Sequence, residues 1–185
     1  NNIGIYGKNK MNGLTAEAVS NLTNEGTINI TADNGVGALI TDAGGKFTQT
    51  GGSITSAKDS TIGVAITAGA EGTLSGGSII STGQTGKGVY VEGIVTGGTV
   101  SSSSKFTLTS GNISTGVNGI GIVGKNGGQI LLGNGQVTVK DNGVGIYLDK
   151  YSSIASGTLN FNYTPNTAAN KGIGIYYEGD SSSIP

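Results

Sequence analysis

Branched aliphatic residues recur around glycine at regular intervals along this chain. A four-residue run with glycine in second place occurs seven times: IGIY from Ile3, VGAL from Val36, IGVA from Ile62, KGVY from Lys87, IGIV from Ile120, VGIY from Val144 and IGIY from Ile173. Its glycines are spaced 33, 26, 25, 33, 24 and 29 residues apart. A second run, Gly–polar–apolar, occurs six times: GTINI from Gly26, GSITS from Gly52, GSIIS from Gly77, GNIST from Gly111, GQVTV from Gly135 and GTLNF from Gly157. The two runs interleave. From each second-run glycine to the next first-run glycine is 11, 11, 11, 10, 10 and 17 residues. Such self-similarity at a period of 20–50 residues marks a solenoid.

Both runs predict strands. In the first, the apolar residues flanking each glycine (Ile3 and Ile5, Val36 and Ala38, Ile62 and Val64, Ile120 and Ile122) alternate and are expected to share one face. In the second, Ile28 and Ile30, Val137 and Val139, and Leu159 and Phe161 do the same, while Ser56, Ser81 and Thr115 supply small second inward positions. A third short strand fits between them, carrying Phe47, Leu74, Phe106 with Leu108, Ile130 with Leu132, and Ile154. A helical reading fails because glycine at every repeat costs about 1 kcal/mol per site in a helix. Only Leu14–Leu22 could form a short one. The expected fold is therefore all-β: a parallel β-helix with three strands per rung and about six rungs of 22–34 residues, one segment over 1–185. Asn34, Asn118 and Asn142, each before glycine, are predicted corners that accept positive φ. Extra residues at Lys8–Glu17, Gly93–Ser104 and Thr164–Asn170 are predicted loops.

The KGVYVEG run from Lys87 and the NKGIGIYYEG run from Asn170, with GTINI-type strands between them, resemble passenger repeats of the large fusobacterial autotransporter adhesins. That resemblance implies a right-handed β-helix on the bacterial surface, exported by type V secretion and anchored in the outer membrane by a C-terminal β-barrel outside this sequence. It implies attachment to an unidentified protein or glycan receptor on other bacteria or host cells. It supplies no catalytic residues.

Composition narrows the alternatives. Of 185 residues, 36 are glycine, and His, Cys, Arg and Trp are absent. Imidazole bases, thiol nucleophiles, the usual zinc ligands and disulfides are therefore excluded. A net charge of −1 without arginine argues against nucleic acid as a partner. No apolar run is long enough to span a membrane as a helix. No cofactor is expected. Asn1 is not an initiator methionine, and the chain reads as part of something longer, a monomeric rod whose open ends are strand edges.

The candidate binding residues are the tyrosines two places after the first-run glycine. That position reads Tyr6, Leu39, Ala65, Tyr90, Val123, Tyr147 and Tyr176, pointing outward by alternation. Tyrosine offers an apolar face and a polar tip, which suits sugar or protein surfaces. The simpler alternative is that each ring covers an outward glycine of the next rung and stiffens the sheet. Four places after the glycine stand Lys8, Thr41, Thr67, Glu92, Lys125, Asp149 and Glu178. Lys125 is expected between Glu92 and Asp149 in a surface charge stack, and the Asp149–Glu178 like pair is a weak cation candidate beside the simpler reading of a solvated edge. Three functions follow: an adhesin segment, a stalk with no ligand of its own, and, distantly, a polysaccharide-degrading enzyme. The carboxylates are too scattered for the paired arrangement glycoside hydrolysis needs, so no enzymatic activity is expected.

Overall fold

The computed structural model describes residues 3–8, 21–165 and 171–179. The chain climbs a three-sided coil. The first rung is β1 (Ile3–Lys8), β2 (Asn21–Asn24) and β3 (Thr27–Ile30); the second is β4 (Val36–Thr41), β5 (Lys46–Gln49) and β6 (Ser53–Ser56); the third is β7 (Ile62–Thr67), β8 (Glu71–Leu74) and β9 (Ser78–Ser81). The fourth begins with β10 (Lys87–Glu92), makes an excursion through β11 (Ile94–Thr96) and β12 (Thr99–Ser102), and resumes with β13 (Lys105–Leu108) and β14 (Asn112–Thr115). The fifth is β15 (Ile120–Lys125), β16 (Gln129–Leu132) and β17 (Gln136–Val139), and the sixth is β18 (Val144–Asp149), β19 (Ser153–Ser156) and β20 (Asn160–Tyr163). A last long strand, β21 (Ile173–Glu178), lies on β18.

Three parallel sheets result. The long sheet orders as β1-β4-β7-β10-β15-β18-β21. The second orders as β2-β5-β8-β13-β16-β19 and the third as β3-β6-β9-β14-β17-β20. Every neighbour is the equivalent strand of the adjacent rung. The expected architecture of three strands per rung and about six turns is therefore the observed one. No helix occurs among the described residues. Of the Leu14–Leu22 segment, residues 14–20 lie outside the described residues, and Asn21 and Leu22 open β2.

The bore holds many of the residues that the alternation assigned to it, together with Ile40, Ile66 and Val89, which it did not name. Ile40, Ile54, Ile66, Leu74, Val89, Ile113, Ile122, Ile130, Val137 and Ile146 are fully buried in one continuous cluster, with Phe47, Phe106 and Leu108 beside them. Burying each such side chain stabilises by about 1.5–3 kcal/mol. Ile28 is partly buried against the same cluster at its first rung.

One expectation is corrected. The residue before each first-run glycine does not share the bore with the residue after it: Val36, Ile62, Lys87, Ile120 and Val144 are half-exposed, whereas Ala38, Val64, Val89, Ile122 and Ile146 are buried. The strand bends at the glycine, which carries no ladder pairing of its own. A Cβ built on Gly37 would lie 2.4 Å from Ile54 Cγ2 and one on Gly63 would lie 2.2 Å from Ile79 Cγ2. The third sheet therefore occupies the space a side chain would need. Strict alternation fails because glycine lets two successive residues turn toward the interior.

The corners follow turn chemistry. Asn34, Asn118 and Asn142 adopt φ of 57°, 54° and 56°, as predicted. Ser60 and Thr85 take the equivalent corners at 55°, which their residue types did not announce. The Gly93–Ser104 segment is a hairpin rather than an irregular loop, with Gly97 and Gly98 at its tip in positive φ. Residues 9–17 of the first predicted loop and 166–170 of the third lie outside the described residues.

A second correction concerns the last rung. The repeat aligned Leu159 with Val137, but Phe161 pairs with Val137 and Tyr163 with Val139. A slip of two residues preserves which side chains face inward, so alternation cannot detect it. The slip accounts in part for the 17-residue spacing before Gly174. The first rungs also hold a polar pair in the bore. Asn24 Nδ2 donates to Gln49 Oε1 at 2.9 Å, and Gln49 Nε2 donates to the Gly51 carbonyl at 2.9 Å. Gln49 is completely buried, and these bonds satisfy its amide.

Candidate functional site

The outer face of the long sheet carries the predicted tyrosines in one column. The register runs Tyr6↔Leu39↔Ala65↔Tyr90↔Val123↔Tyr147↔Tyr176 across successive strands. Tyr90, Tyr147 and Tyr176 fall within four consecutive rungs. Tyr6 stands three rungs away from Tyr90 on the first strand, exposed, with Leu39 and Ala65 between them.

Tyr147 and Tyr176 stack, with ring centroids 5.7 Å apart and planes 14° from parallel. The Tyr147 hydroxyl donates to Glu178 Oε2. That hydrogen bond, helped by burial and by the negative charge of Glu178, pushes the Tyr147 phenol up to about 12. The Tyr90 phenol is also pushed up to about 12, first by burial and then by the charge and hydrogen bonding of Glu92. Both hydroxyls therefore stay protonated at neutral pH. The Lys125 ammonium lies 5.6 Å from the centroid of the Tyr147 ring, within cation–π range.

Val123 occupies the one place in this stretch of the column without a ring. It is 2% exposed although it faces outward. Val123 and Ala65 are the buried apolar residues that do not belong to the core cluster. Val123 and Ile120 line a groove of about 310 Å³ with Tyr90 and Tyr147, and the groove is rimmed by Lys87 and Lys125. Stepping at ~4.8 Å per strand, Tyr90 and Tyr147 stand about 10 Å apart at the backbone. A second hollow of about 430 Å³ adjoins it, lined by Lys125, Tyr147, Asp149, Lys150, Tyr151, Glu178 and Gly179. Lys125 and Tyr147 belong to both.

The expected charge stack through Lys125 does not form. Glu92 accepts from Asn126 Nδ2 at 2.8 Å, and Asp149 accepts from the Asn126 backbone N–H at 2.8 Å, from Tyr151 N–H at 3.1 Å and from Ser152 Oγ at 2.7 Å. Corner amides and hydroxyls are closer and more rigid donors than a lysine on a four-carbon stem, so the carboxylates serve the turn. Among the described residues the ion pairs are Lys8–Asp42 at 3.9 Å and Lys46–Glu71 at 3.3 Å, both at the surface. Lys87 and Lys125 thus carry ammonium groups with no carboxylate within 4 Å among the described residues. The Asp149–Glu178 pair is not joined by a third metal-ligating side chain among the described residues.

Two other surfaces differ from this face in character. The outward face of the third sheet is polar as expected, with Thr55 Oγ1 donating to Asn29 Oδ1 at 2.6 Å, but Ile80 interrupts it. The hairpin exposes Ile94 and Val100, and Val100 lies against Gly127. Sequence reasoning placed the tyrosines but missed Lys87, Ile120 and Val123 as their partners. The signal was present across the repeats: Lys87 stands where the other first runs have Ile or Val. The chain matches no protein-family model, no curated protein and no solved structure.

Proposed function

We propose that this chain is a segment of a surface-exposed autotransporter adhesin passenger and takes part in cell–cell adhesion through the outer face of its long sheet. One observation carries the reading. Tyr90, Tyr147 and Tyr176 form a partly exposed aromatic run on a parallel sheet, beside two lysines without an ion pair among the described residues. Aromatic faces held rigidly at a surface cost little entropy to engage and are typical anchors of recognition. The resemblance of the KGVYVEG and NKGIGIYYEG runs to fusobacterial passengers supports the same reading, including a position outside the cell. On this reading the chain binds and does no covalent chemistry.

The test is to coat beads with the purified chain and mix them with candidate partner bacteria and host cells. Wild-type beads aggregate with at least one partner, and the Tyr147→Ser/Tyr176→Ser double variant, still folded by circular dichroism, loses most of that adhesion. Unchanged adhesion by the double variant refutes the role given to the rings. A second reading, a spacer that binds nothing itself, is favoured by the unbroken seven-strand ladder of the long sheet, and inert beads would support it.

A further inference from the structure

The groove between Tyr90 and Tyr147 has a chemistry of its own. The column of outward residues reads ring, valine, ring, ring at Tyr90, Val123, Tyr147 and Tyr176. Where two rings are neighbours, at Tyr147 and Tyr176, they stack face to face. At Val123 the ladder lacks one ring, and a hollow of about 310 Å³ opens there. A rung on either side of Val123 leaves about 10 Å between the tyrosine positions at the backbone, and Val123, 2% exposed, is the covered floor of the hollow.

The rim decides the ligand chemistry. The groove lining holds two cations, Lys87 and Lys125, and no carboxylate. The nearest carboxylates are Glu92, Asp149 and, beyond Tyr147, Glu178. Glu92 is bound by Asn126, Asp149 by three donors of the corner, and Glu178 by the Tyr147 hydroxyl. They keep their charge but are held by those donors, and neither ammonium has a carboxylate within 4 Å among the described residues, that of Lys125 lying over the Tyr147 ring. A neutral sugar would use the tyrosine faces and leave both cations unused. A pyranose bearing a carboxylate or sulfate would use all four groups, its C–H face on a ring and its anion between the lysines.

We propose that this groove is a binding site for a single acidic pyranose unit, a uronic acid or sulfated sugar, with Tyr90 and Tyr147 as its walls and Lys87 and Lys125 as its anion contacts. The proposal rests on the binding reading of the tyrosine face and names the ligand class for it.

The experiment titrates the purified chain with methyl β-glucuronide and with methyl β-glucoside, which differ only in the carboxylate, and with glucose 6-sulfate. Binding is followed by amide and methyl NMR shifts. The expected result is at least tenfold tighter binding of the glucuronide or sulfate than of the glucoside. Shifts centre on Tyr90, Val123 and Tyr147, and affinity falls severalfold on raising salt to 0.5 M. Lys125→Gln and Lys87→Gln, both surface changes, each weaken glucuronide binding about three- to tenfold. Val123→Tyr completes the ladder and abolishes binding. Equal affinity for glucoside and glucuronide overturns the proposal, as do shifts elsewhere on the rod. Preference for an acidic aromatic dipeptide over the glucuronide also overturns it, in favour of a protein partner. Adhesion of coated beads is measured in parallel. Beads that adhere but resist competition by glucuronide and sulfate sink this site and leave the adhesion reading standing. Glucuronide binding with inert beads upholds the site and sinks the adhesion reading.

Discussion

Replacing Gly88 by alanine should break the solenoid at its middle. A Cβ at this position would lie 2.3 Å from Ile113 Cγ2 in the third sheet of the same rung and 2.6 Å from the Gly121 carbonyl oxygen in the next. Ordinary contacts begin near 3.4 Å, so the isoleucine methyl must retreat by about 1 Å and the carbonyl by nearly as much. The methyl has nowhere to go, because Ile113 is fully buried. Overpacking of this kind costs about 1–3 kcal/mol. Moving the Gly121 carbonyl also strains the ladder between β10 and β15, where each weakened hydrogen bond is worth about 0.5–1.5 kcal/mol. A total near 3 kcal/mol is expected. The control is Gly51→Ala, whose Cβ would lie 3.8 Å from the nearest atom, the Glu25 carbonyl oxygen, at a residue without positive φ. There the loss of unfolded-chain entropy makes alanine neutral or stabilising by up to about 1 kcal/mol. Urea unfolding of both variants gives the stabilities, and amide hydrogen exchange locates the damage, which should concentrate in β10 and β15. If Gly88→Ala unfolds within 1 kcal/mol of wild type, or exchange rises uniformly along the rod, the glycine column is not what sets the distance between sheets.

Other outcomes follow from single contacts. Gln49→Leu removes the acceptor of Asn24 and the donor to the Gly51 carbonyl, and should cost about 1–3 kcal/mol in urea unfolding despite adding apolar surface to the bore. Asn142→Gly should be nearly neutral, whereas Asn142→Val should lower stability by about 1–2 kcal/mol, because φ there is 56°. In alkali, Tyr90 and Tyr147, both pushed up to about 12 from 10.0, bind protons that their unfolded counterparts have lost. Their stabilising contribution is complete below pH 10 and disappears as the pH rises through about 12, so the melting temperature falls across that interval. The Tyr90→Phe/Tyr147→Phe variant should show a smaller fall over the same interval, and tyrosinate absorption at 295 nm should show two phenols titrating late in the wild type.

The architecture was largely written in the spacing of residues. Ile122, Val137 and Ile130 come from three different sheets, and all three were assignable to the bore because Ile122 and Val137 sit at a fixed offset from a repeated glycine and Ile130 falls in the short run that precedes one. What escaped was the meaning of the glycine itself. Alternation treats every residue of a strand as equivalent, so it placed Val36 and Ala38 together. The bend at Gly37 arises from Ile54, a residue 17 positions later, whose methyl fills the space of the missing side chain. The slip of the last rung has a similar origin. Leu159 and Phe161 have the same parity, and only the pairing of Phe161 with Val137 chooses between them. Corner residues divided by chemistry: Asn34 announced its positive φ, whereas Ser60 takes the same conformation because the ladder on both sides requires it.

The candidate site was legible only when read across rungs. Along the chain, Lys87, Tyr90, Val123, Lys125 and Tyr147 span 61 positions and form no motif. In a parallel coil, residues at one offset from successive glycines become neighbours at about 4.8 Å, so a functional surface is written at the period of the repeat. Read that way, the column at Val123 is an interruption between rings, and Lys87 is a charge where the repeat supplies Ile or Val. The charge stack failed for a complementary reason. Residues at one offset are near each other, but so are the corner amides that follow them, and Asn126 reaches both Glu92 and Asp149 before Lys125 does. Repeat position therefore predicts which side chains meet, while the competition for hydrogen bonds at the adjoining corner decides which charges are left over. In this molecule the corner takes the carboxylates and leaves the lysines, and that asymmetry is the ground on which a preference for anions is proposed for the row of tyrosines.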